Sequence, residues 1–259
     1  MVELMPTPRA LVRRPGPRLA EGIVTHIDRQ PIDPELALAQ WISYVEALGA
    51  AGWEVIEVPA ADECPDAVFI EDPVIVHGDL AVLARSGAPA RRAEVGAVAS
   101  TLRELGYRIA AITGPGTVDG GDVLRVGTTA YVGLGARTNG EGIRQLANLL
   151  QEFDIHVQAV TVERALHLKS AVTALPDGTV IGWDPVVDWP GAFPAYEGMP
   201  EEGGAHVVIV GEGHLMMAAS APRSAKVLRD KGYRVTTVDI SEFEKLEGCV
   251  TCLSVRLRG

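Results

Sequence analysis

Cys252 lies in 248-GCVTCLSVRL-257, among small polar residues and just ahead of a β-prone run. A buried cysteine ordinarily acts as a small apolar side chain, so a chemical role requires a partner that makes its thiolate. A histidine distant in sequence is the usual supplier. His167, in 163-ERALHLKSAV-172, stands out among the six histidines because its neighbours Lys169 and Ser170 are polar. His77 and His214 fall at hairpin turns, His156 and His206 where strands begin, and His26 in the N-terminal segment. Taken alone, a histidine beside leucines more often fills core space. Cys249 and Cys252 also have C-x-x-C spacing. A zinc site needs two more ligands at suitable spacing, and a thioredoxin-like pair opens a helix, not a strand. Both of those readings are weak.

Carboxylates and guanidinium groups supply the other candidates. In 66-DAVFIEDPVIV-76 an apolar strand leads to the adjacent Glu71 and Asp72. Neighbouring carboxylates near a core are costly unless a positive group compensates. Either the strand end points into water, or the pair lines a pocket for a multiple hydrogen-bond donor such as a guanidinium. The segment 114-GPGTVDGGDVL-124 breaks the dinucleotide-loop frame, because Asp119 stands where the third glycine belongs and a strand follows. Asp119, followed by Gly120 and Gly121, reads instead as a carboxylate held in a tight turn. Arg91 in 87-GAPARRAE-94 and Arg137 in 133-GLGARTNG-140 each follow a hairpin. Exposed arginines are normally solvated, whereas two converging ones suit a carboxylate through forked hydrogen bonds.

The elements that must position these residues recur along the chain. Short apolar strands pair around turns: 68-VFI-70 and 74-VIV-76 with 80-LAVLA-84, then 123-VLRV-126 with 129-TAYVGL-134. Further on, 171-AVTAL-175 pairs with 179-TVIGW-183, and 207-VVIV-210 with 215-LMMAA-219. After several hairpins the apolar period becomes helical, with Val95, Val98, Leu102 and Leu105 on one face and Ile143, Leu146, Ala147 and Leu150 on another. A strand then returns at 52-GWEVIEV-58, 106-GYRIAAI-112, 154-DIHVQAV-160 and 232-GYRVTTV-238, with a degenerate copy at 195-AYEGMP-200. The helix around Leu38, Ile42, Val45 and Leu48 lacks a preceding hairpin. The segments 9-RALVR-13 and 250-VTCLSVRL-257 complete its unit and bring the two ends of the chain together. The expectation is a ring of about five strand–strand–helix–strand units, against the plainer alternative of one mixed α/β sheet. No linker or charge block marks a second domain, so 1–259 reads as one domain. The Pro- and Gly-rich stretch 184–204 reads as a loop over one face, and 14-RPGPRLAEG-22 as a mobile lid.

Over 259 residues, 34 acidic and 23 basic side chains leave a net charge of −11. That balance argues against nucleic acid, whose phosphates need clustered Lys and Arg, and is compatible with a small cationic ligand. At 47% apolar the chain can bury a core. Runs such as 207-VVIV-210 fall far short of a bilayer span, and Arg9, Arg13 and Arg14 precede no apolar stretch of signal-peptide length. Three cysteines are too few and too odd for a disulfide framework, which favours a reducing cytoplasm.

In order along the chain, 68-VFIEDP-73, 87-GAPARR-92, 118-VDGGDVL-124, 133-GLGARTN-139, 166-LHLKS-170 and 251-TCLSV-255 resemble the motifs of the dimethylarginine dimethylaminohydrolases. These belong to the guanidino-group-modifying superfamily, and the resemblance spans essentially the whole chain. It implies a five-bladed pseudo-symmetric α/β propeller (pentein), in agreement with the repeat. It implies that Cys252, directly after Thr251, is the nucleophile, with Cys249 a bystander. His167 is then the general acid/base and Asp119 the carboxylate that orients it. Asp72 with Glu71 becomes the guanidinium-binding pair, and Arg91 with Arg137 the clamp on the substrate α-carboxylate. Asp66, with the backbone at Leu19 and Leu246, receives the α-amino group. The implied enzyme is a dimethylargininase, a hydrolase releasing citrulline and a methylated amine through a covalent thiouronium on Cys252. It needs no cofactor and no metal, and a homodimer is allowed but not demanded.

Arginine deiminases are the relatives to separate. Their histidine motif resembles His-x-Asp, whose Asp accepts from a guanidinium nitrogen, whereas this chain has Lys169 there. A dimethylated nitrogen has no N–H to donate, so losing that acceptor costs such a substrate little, and an acceptor left unpaired costs ~1–3 kcal/mol. Deiminases also resemble F-T-R-D where this chain has 69-FIED-72, and they are generally longer. A deiminase and a catalytically silent arginine-analogue binder are the alternative readings.

Overall fold

A computed structural model describes residues 7–257. β1 (Arg9–Val12), α1 (Pro34–Ala50) and β2 (Glu54–Glu57) open the fold, followed by β3 (Val74–His77), β4 (Leu80–Leu83), α2 (Val95–Glu104) and β5 (Arg108–Ala111). A third unit is β6 (Val123–Val126), β7 (Thr129–Leu134), α3 (Gly140–Leu150) and β8 (His156–Thr161). A fourth is the short α4 (Leu168–Ala171) with β9 (Val172–Ala174), β10 (Val180–Gly182) and β11 (Tyr196–Gly198). A fifth is β12 (Val207–Gly211), β13 (His214–Ala218), α5 (Pro222–Asp230) and β14 (Arg234–Val238). After α6 (Ser241–Glu244), β15 (Val255–Leu257) returns antiparallel to β1 and supplies the first unit's missing strand.

The result is five three-stranded sheets, in each of which an antiparallel pair is followed by a parallel returning strand. Tight turns set the hairpins: Gly78 and Gly127 adopt φ of 54° and 57°, a left-handed conformation that glycine enters without a Cβ penalty. Apolar cores lie between consecutive units. Leu11 and Val58 pack with Val74 and Leu102, Val82 with Val132 and Leu146, and Val160 with Val172. Ile181 then packs with Leu215 and Leu228, and Met216 and Val210 return to Val12 and Trp41. The fifth core joins the last unit to the first, so the ring closes as a five-bladed pseudo-symmetric α/β propeller.

Four local expectations change. The buried face of α1 is Ala37, Gln40, Trp41, Tyr44 and Leu48, while Ile42 is 40% exposed. Gln40 Oε1 accepts from Glu242 N, and Tyr44 Oη bonds Val250 O, so polar anchors turn the helix away from its most apolar stripe. Residues 68–70 are turns, not strand, because their amides close local bonds such as Phe69 N to Asp66 O. The stretch 184–204 is not merely a surface loop. Val187, Ala192 and Phe193 are buried with Tyr131 and Leu124, filling the place that a helix fills in the other four blades. Of 250–257 only Val255–Leu257 is strand. The turn before it, with Cys252 N bonded to Cys249 O, presents the two cysteines.

Candidate active site

The turns at 66–73, the short helical turn Pro89–Glu94, the loop after β7, the residue before α4 and the turn before β15 face one chamber. Asp66, Asp72, Arg91, Arg137, His167, Leu246 and Cys252 all line it. Leu19, Glu71 and Asp119 are not among its lining residues.

Asp119 stands behind His167. Its Oδ2 lies 3.1 Å from His167 Nε2 and accepts from Arg137 Nη1 at 3.4 Å, while Oδ1 accepts from Gly87 N at 3.2 Å. On its other side His167 presents Nδ1 to Asp72 Oδ1 at 3.8 Å, too long for a hydrogen bond. Burial works against a charged imidazole here, but Asp72, the bond to Asp119, and Asp122 outweigh it and push the His167 pKa up to about 9. Burial likewise opposes the Asp119 carboxylate, and His167 overcomes it, bringing Asp119 down to about 2. The glycines of 118-VDGGDVL-124 supply space. A Cβ on Gly120 would sit 2.0 Å from Glu71 O, and one on Gly121 2.6 Å from Asp72 Oδ1 and 2.8 Å from His167 Nδ1. Asp72, Asp119 and His167 also offer donor atoms within 4.8 Å of one another. The guanidinium groups of Arg91 and Arg137, bonded to the two aspartates, already neutralise the charge a cation would use.

The two arginines converge but are not equivalent. Arg91 is bonded at all three guanidinium nitrogens: Nε and Nη2 to Glu94, Nη1 to Asp72, and Nη2 to the carbonyls of Asp66 and Phe69. Arg137 makes one bond, to Asp119. The lid closes over them. Asp66 Oδ1 accepts from Ile23 N at 3.0 Å, and Glu247 accepts from Thr25 N and His26 N at 2.6 and 2.7 Å. Leu19 O, Asp66 and Leu246 do meet, around Gly22, where an added Cβ would lie 3.2, 3.0 and 3.3 Å from them.

Glu71 points elsewhere. Its carboxylate bonds Lys169 Nζ at 2.6 Å, Arg256 Nη2 at 2.9 Å and Thr251 Oγ1 at 2.9 Å, and its amide donates to Cys252 O. Burial would raise its pKa, but Lys169 and Arg256 prevail and lower it. Cys252 Sγ lies 3.3 Å from Cys249 Sγ. That contact stabilises one thiolate of the pair, bringing Cys249 down to about 5, and holds the Cys252 thiol well above its ordinary value, with Glu71 and Asp72 adding to the rise.

Several contributors escaped the sequence. Asp122, the second aspartate of the D-G-G-D run, accepts from Leu168 N at 2.9 Å and from Thr138 Oγ1 at 2.6 Å, and burial raises its pKa to about 6. Glu94 was visible as the acidic residue three positions after Arg91. Arg256 carried no local signal, because its partner lies 185 residues away.

A protein-family model described as arginine deiminase matches residues 54–215. The N(G),N(G)-dimethylarginine dimethylaminohydrolase of Streptomyces coelicolor is 57% identical over 254 residues, 98% of each chain. The chain belongs to the dimethylarginine dimethylaminohydrolase family. A second member, from Pseudomonas aeruginosa, is 34% identical over 95% of this chain and 98% of its own. The structure of a dimethylarginine dimethylaminohydrolase from that organism, complexed with citrulline, superposes with a TM-score of 0.90 at 32% identity, covering 97% of this chain and 99% of that one. The arginine deiminase match ends before Cys252. Among the described residues no helix is long and apolar enough to cross a membrane.

Proposed function

We propose that this chain hydrolyses Nω,Nω-dimethylarginine, and Nω-monomethylarginine with it, to citrulline and the methylated amine. The observation that carries the reading is the buried row Asp72–His167–Asp119, whose first two members line one chamber with Cys252 and Arg137. It is supported by the 57% identity to an enzyme named for that reaction. All the groups come from one chain, and we read 1–259 as one catalytic domain acting in the cytoplasm.

A guanidinium carbon is a poor electrophile, so it needs a strong nucleophile and an uncharged leaving amine. Asp72 faces the chamber and holds the substrate guanidinium, taking it in exchange for Arg91. With the chamber empty, the contact with Cys249 and burial keep Cys252 protonated, and Glu71 and Asp72 add to the effect. A bound cation offsets those carboxylates and releases the thiolate. The sulfur attacks the guanidinium carbon. His167, protonated at neutral pH and fixed through Nε2 by Asp119, gives the Nδ1 proton to the departing dimethylamine. The neutral imidazole then takes a proton from water, whose oxygen displaces Cys252 from the thiouronium and yields citrulline. Arg137, the less engaged arginine, takes the α-carboxylate with Arg91. Asp66 takes the α-amino group once the Ile23 amide leaves it, so the expected lid 14–22 lifts for binding together with the residues that follow it. Glu71 serves by holding the nucleophile turn.

The arginine deiminase match is the observation that favours a second reading. Assaying asymmetric dimethylarginine and arginine side by side separates the two. Citrulline with dimethylamine from the methylated substrate alone is the expected result, in keeping with Lys169 where deiminases resemble His-x-Asp. Ammonia from arginine would move the chain to the deiminase class, and silence on both would leave a binding protein. Cys252→Ser is expected to abolish turnover.

A further inference from the structure

Cys249 does not line the substrate chamber. It lines a second and wider cavity of about 760 Å³, shared with His206, Ser170, Glu244 and Trp183. The chamber that Cys252 lines is nearly closed, about 10 Å³. The two sulfurs are 3.3 Å apart, while their residues line different cavities. The turn between them is already closed by Cys252 N donating to Cys249 O. A disulfide requires the sulfurs to approach by a further ~1.3 Å, to about 2.05 Å.

We propose that Cys249 is a peroxide-reactive modification site that closes a reversible disulfide with Cys252 and so switches off the nucleophile. The proposal rests on the reading of Cys252 as that nucleophile. The chemistry balances with a hydroperoxide as oxidant. The Cys249 thiolate attacks the outer peroxide oxygen, the O–O bond breaks, and a sulfenic acid forms as the alcohol or water leaves. The Cys252 sulfur then attacks the Cys249 sulfur, the S–O bond breaks, and hydroxide leaves with the thiol proton as water. Two thiols are oxidised by two electrons and one peroxide is reduced. Three features suit Cys249 to the first step. The neighbouring S–H and the Thr251 hydroxyl, 3.2 Å away, stabilise its thiolate, and the wider cavity, walled in part by His26, Ile27 and Gln30, admits a small peroxide without entry into the substrate chamber. The resolving sulfur is already in contact. A thiol on the chamber side alone would oxidise onward to sulfinic acid, which thiols do not reverse. Pairing protects it from that end.

The test treats the purified chain with hydrogen peroxide, alkylates free thiols, and maps the tryptic peptide 246–256, which carries both cysteines. Expected is a peptide two hydrogens lighter and unalkylated, with turnover lost and then restored by dithiothreitol. Cys249→Ser is expected to begin with most of the wild-type turnover and to lose it to peroxide beyond recovery by dithiothreitol, as Cys252 gains oxygen. The proposal is overturned if the wild-type peptide keeps two alkylatable thiols or gains oxygen without losing hydrogens. It is also overturned if dithiothreitol restores Cys249→Ser as fully as the wild type. The peptide mass does not depend on activity. A disulfide forming in a chain inert towards dimethylarginine would therefore sustain the thiol pair while removing the proposed function.

Discussion

Glu71 and Asp72 are consecutive carboxylates, both buried, yet they face opposite sides of one turn. Glu71 is locked by Lys169, Arg256 and Thr251, three groups that belong permanently to the nucleophile turn and the histidine segment. Asp72 is held by Arg91, by the amide of Gly121 and by the charge of His167, and it lines the chamber. The first carboxylate is neutralised by fixed partners and has nothing left for a ligand. The second shares its partners with the row proposed to be catalytic, and in that proposal a substrate cation takes the place of one of them. Two identical costs of burial are thus met differently, and only one of the solutions leaves a binding group.

Removing the fixed carboxylate should cost the most. Glu71→Gln leaves the half-buried Lys169 and Arg256 around a buried neutral amide, and removing one partner of such an ion pair costs up to ~3–5 kcal/mol. The expected result is a large fall in the denaturant midpoint, with KM for dimethylarginine in the folded fraction near the wild-type value. Asp72→Asn should show the opposite split, with kcat/KM down about a hundredfold, which is ~2.7 kcal/mol, and a smaller change in midpoint. If Glu71→Gln raised KM as much as Asp72→Asn while leaving the midpoint unchanged, the distinction between the two carboxylates would fail.

The direction of these side chains is what the sequence could not show. Adjacency at 71 and 72 exposed the cost of burial, but the partners that decide each orientation lie far away, Thr251 by 180 residues and Arg256 by 185. The ring itself was legible, because hairpins and returning strands repeat and because 9-RALVR-13 needed a partner that 250-VTCLSVRL-257 supplied. Its irregularities were not. Blade four replaces its helix with Val187, Ala192 and Phe193, three apolar residues in a Pro- and Gly-rich stretch with no period to read. On α1, Leu48 is buried and Leu38 and Val45 pack against the core as expected, but Ile42 is exposed, and Gln40, a buried polar residue, anchors the helix through bonds to Ser241 and Glu242. Cys252, His167, Asp72 and Arg137 were visible as types and do share one chamber. That Asp66 is occupied by Ile23 N–H, and Arg91 by Glu94, depends on contacts that no motif carries.

The charge of His167 offers a sharper comparison, because both flanking aspartates support it. Its pKa is raised to about 9 in the folded chain, so the imidazolium contributes stability fully below the unfolded value near 6.5 and loses it as pH rises through about 9. The proposed mechanism uses the same proton. The expected profile of kcat/KM therefore has a basic limb near pH 9, and Asp72→Asn should move that limb towards the ordinary histidine value. A wild-type limb already near 6.5 would mean that neither aspartate holds the imidazole charged.

The smallest expected effect lies behind the row, where a closed circuit of hydrogen bonds ties the two ends of the Asp119–His167 pair to each other. Asp119 N donates to Thr138 Oγ1 at 3.1 Å, Thr138 donates to Asp122 Oδ2 at 2.6 Å, and Asp122 Oδ1 accepts from Leu168 N, next to His167, at 2.9 Å. None of these groups touches the chamber, so their contribution is to fix where the imidazole stands. Thr138→Val keeps the shape and removes the hydroxyl, leaving Asp119 N–H and one oxygen of Asp122 without partners. The expected cost is ~1–2 kcal/mol in stability. With it goes a several-fold fall in kcat at unchanged KM, because substrate still meets Asp72 and Arg137 while the proton donor is less well placed. Thr138→Ser, which restores the hydroxyl, should recover kcat. If the valine variant turned over like the wild type, the His167 ring would owe its position to Asp119 and its packing alone, and the circuit would be part of the scaffold only.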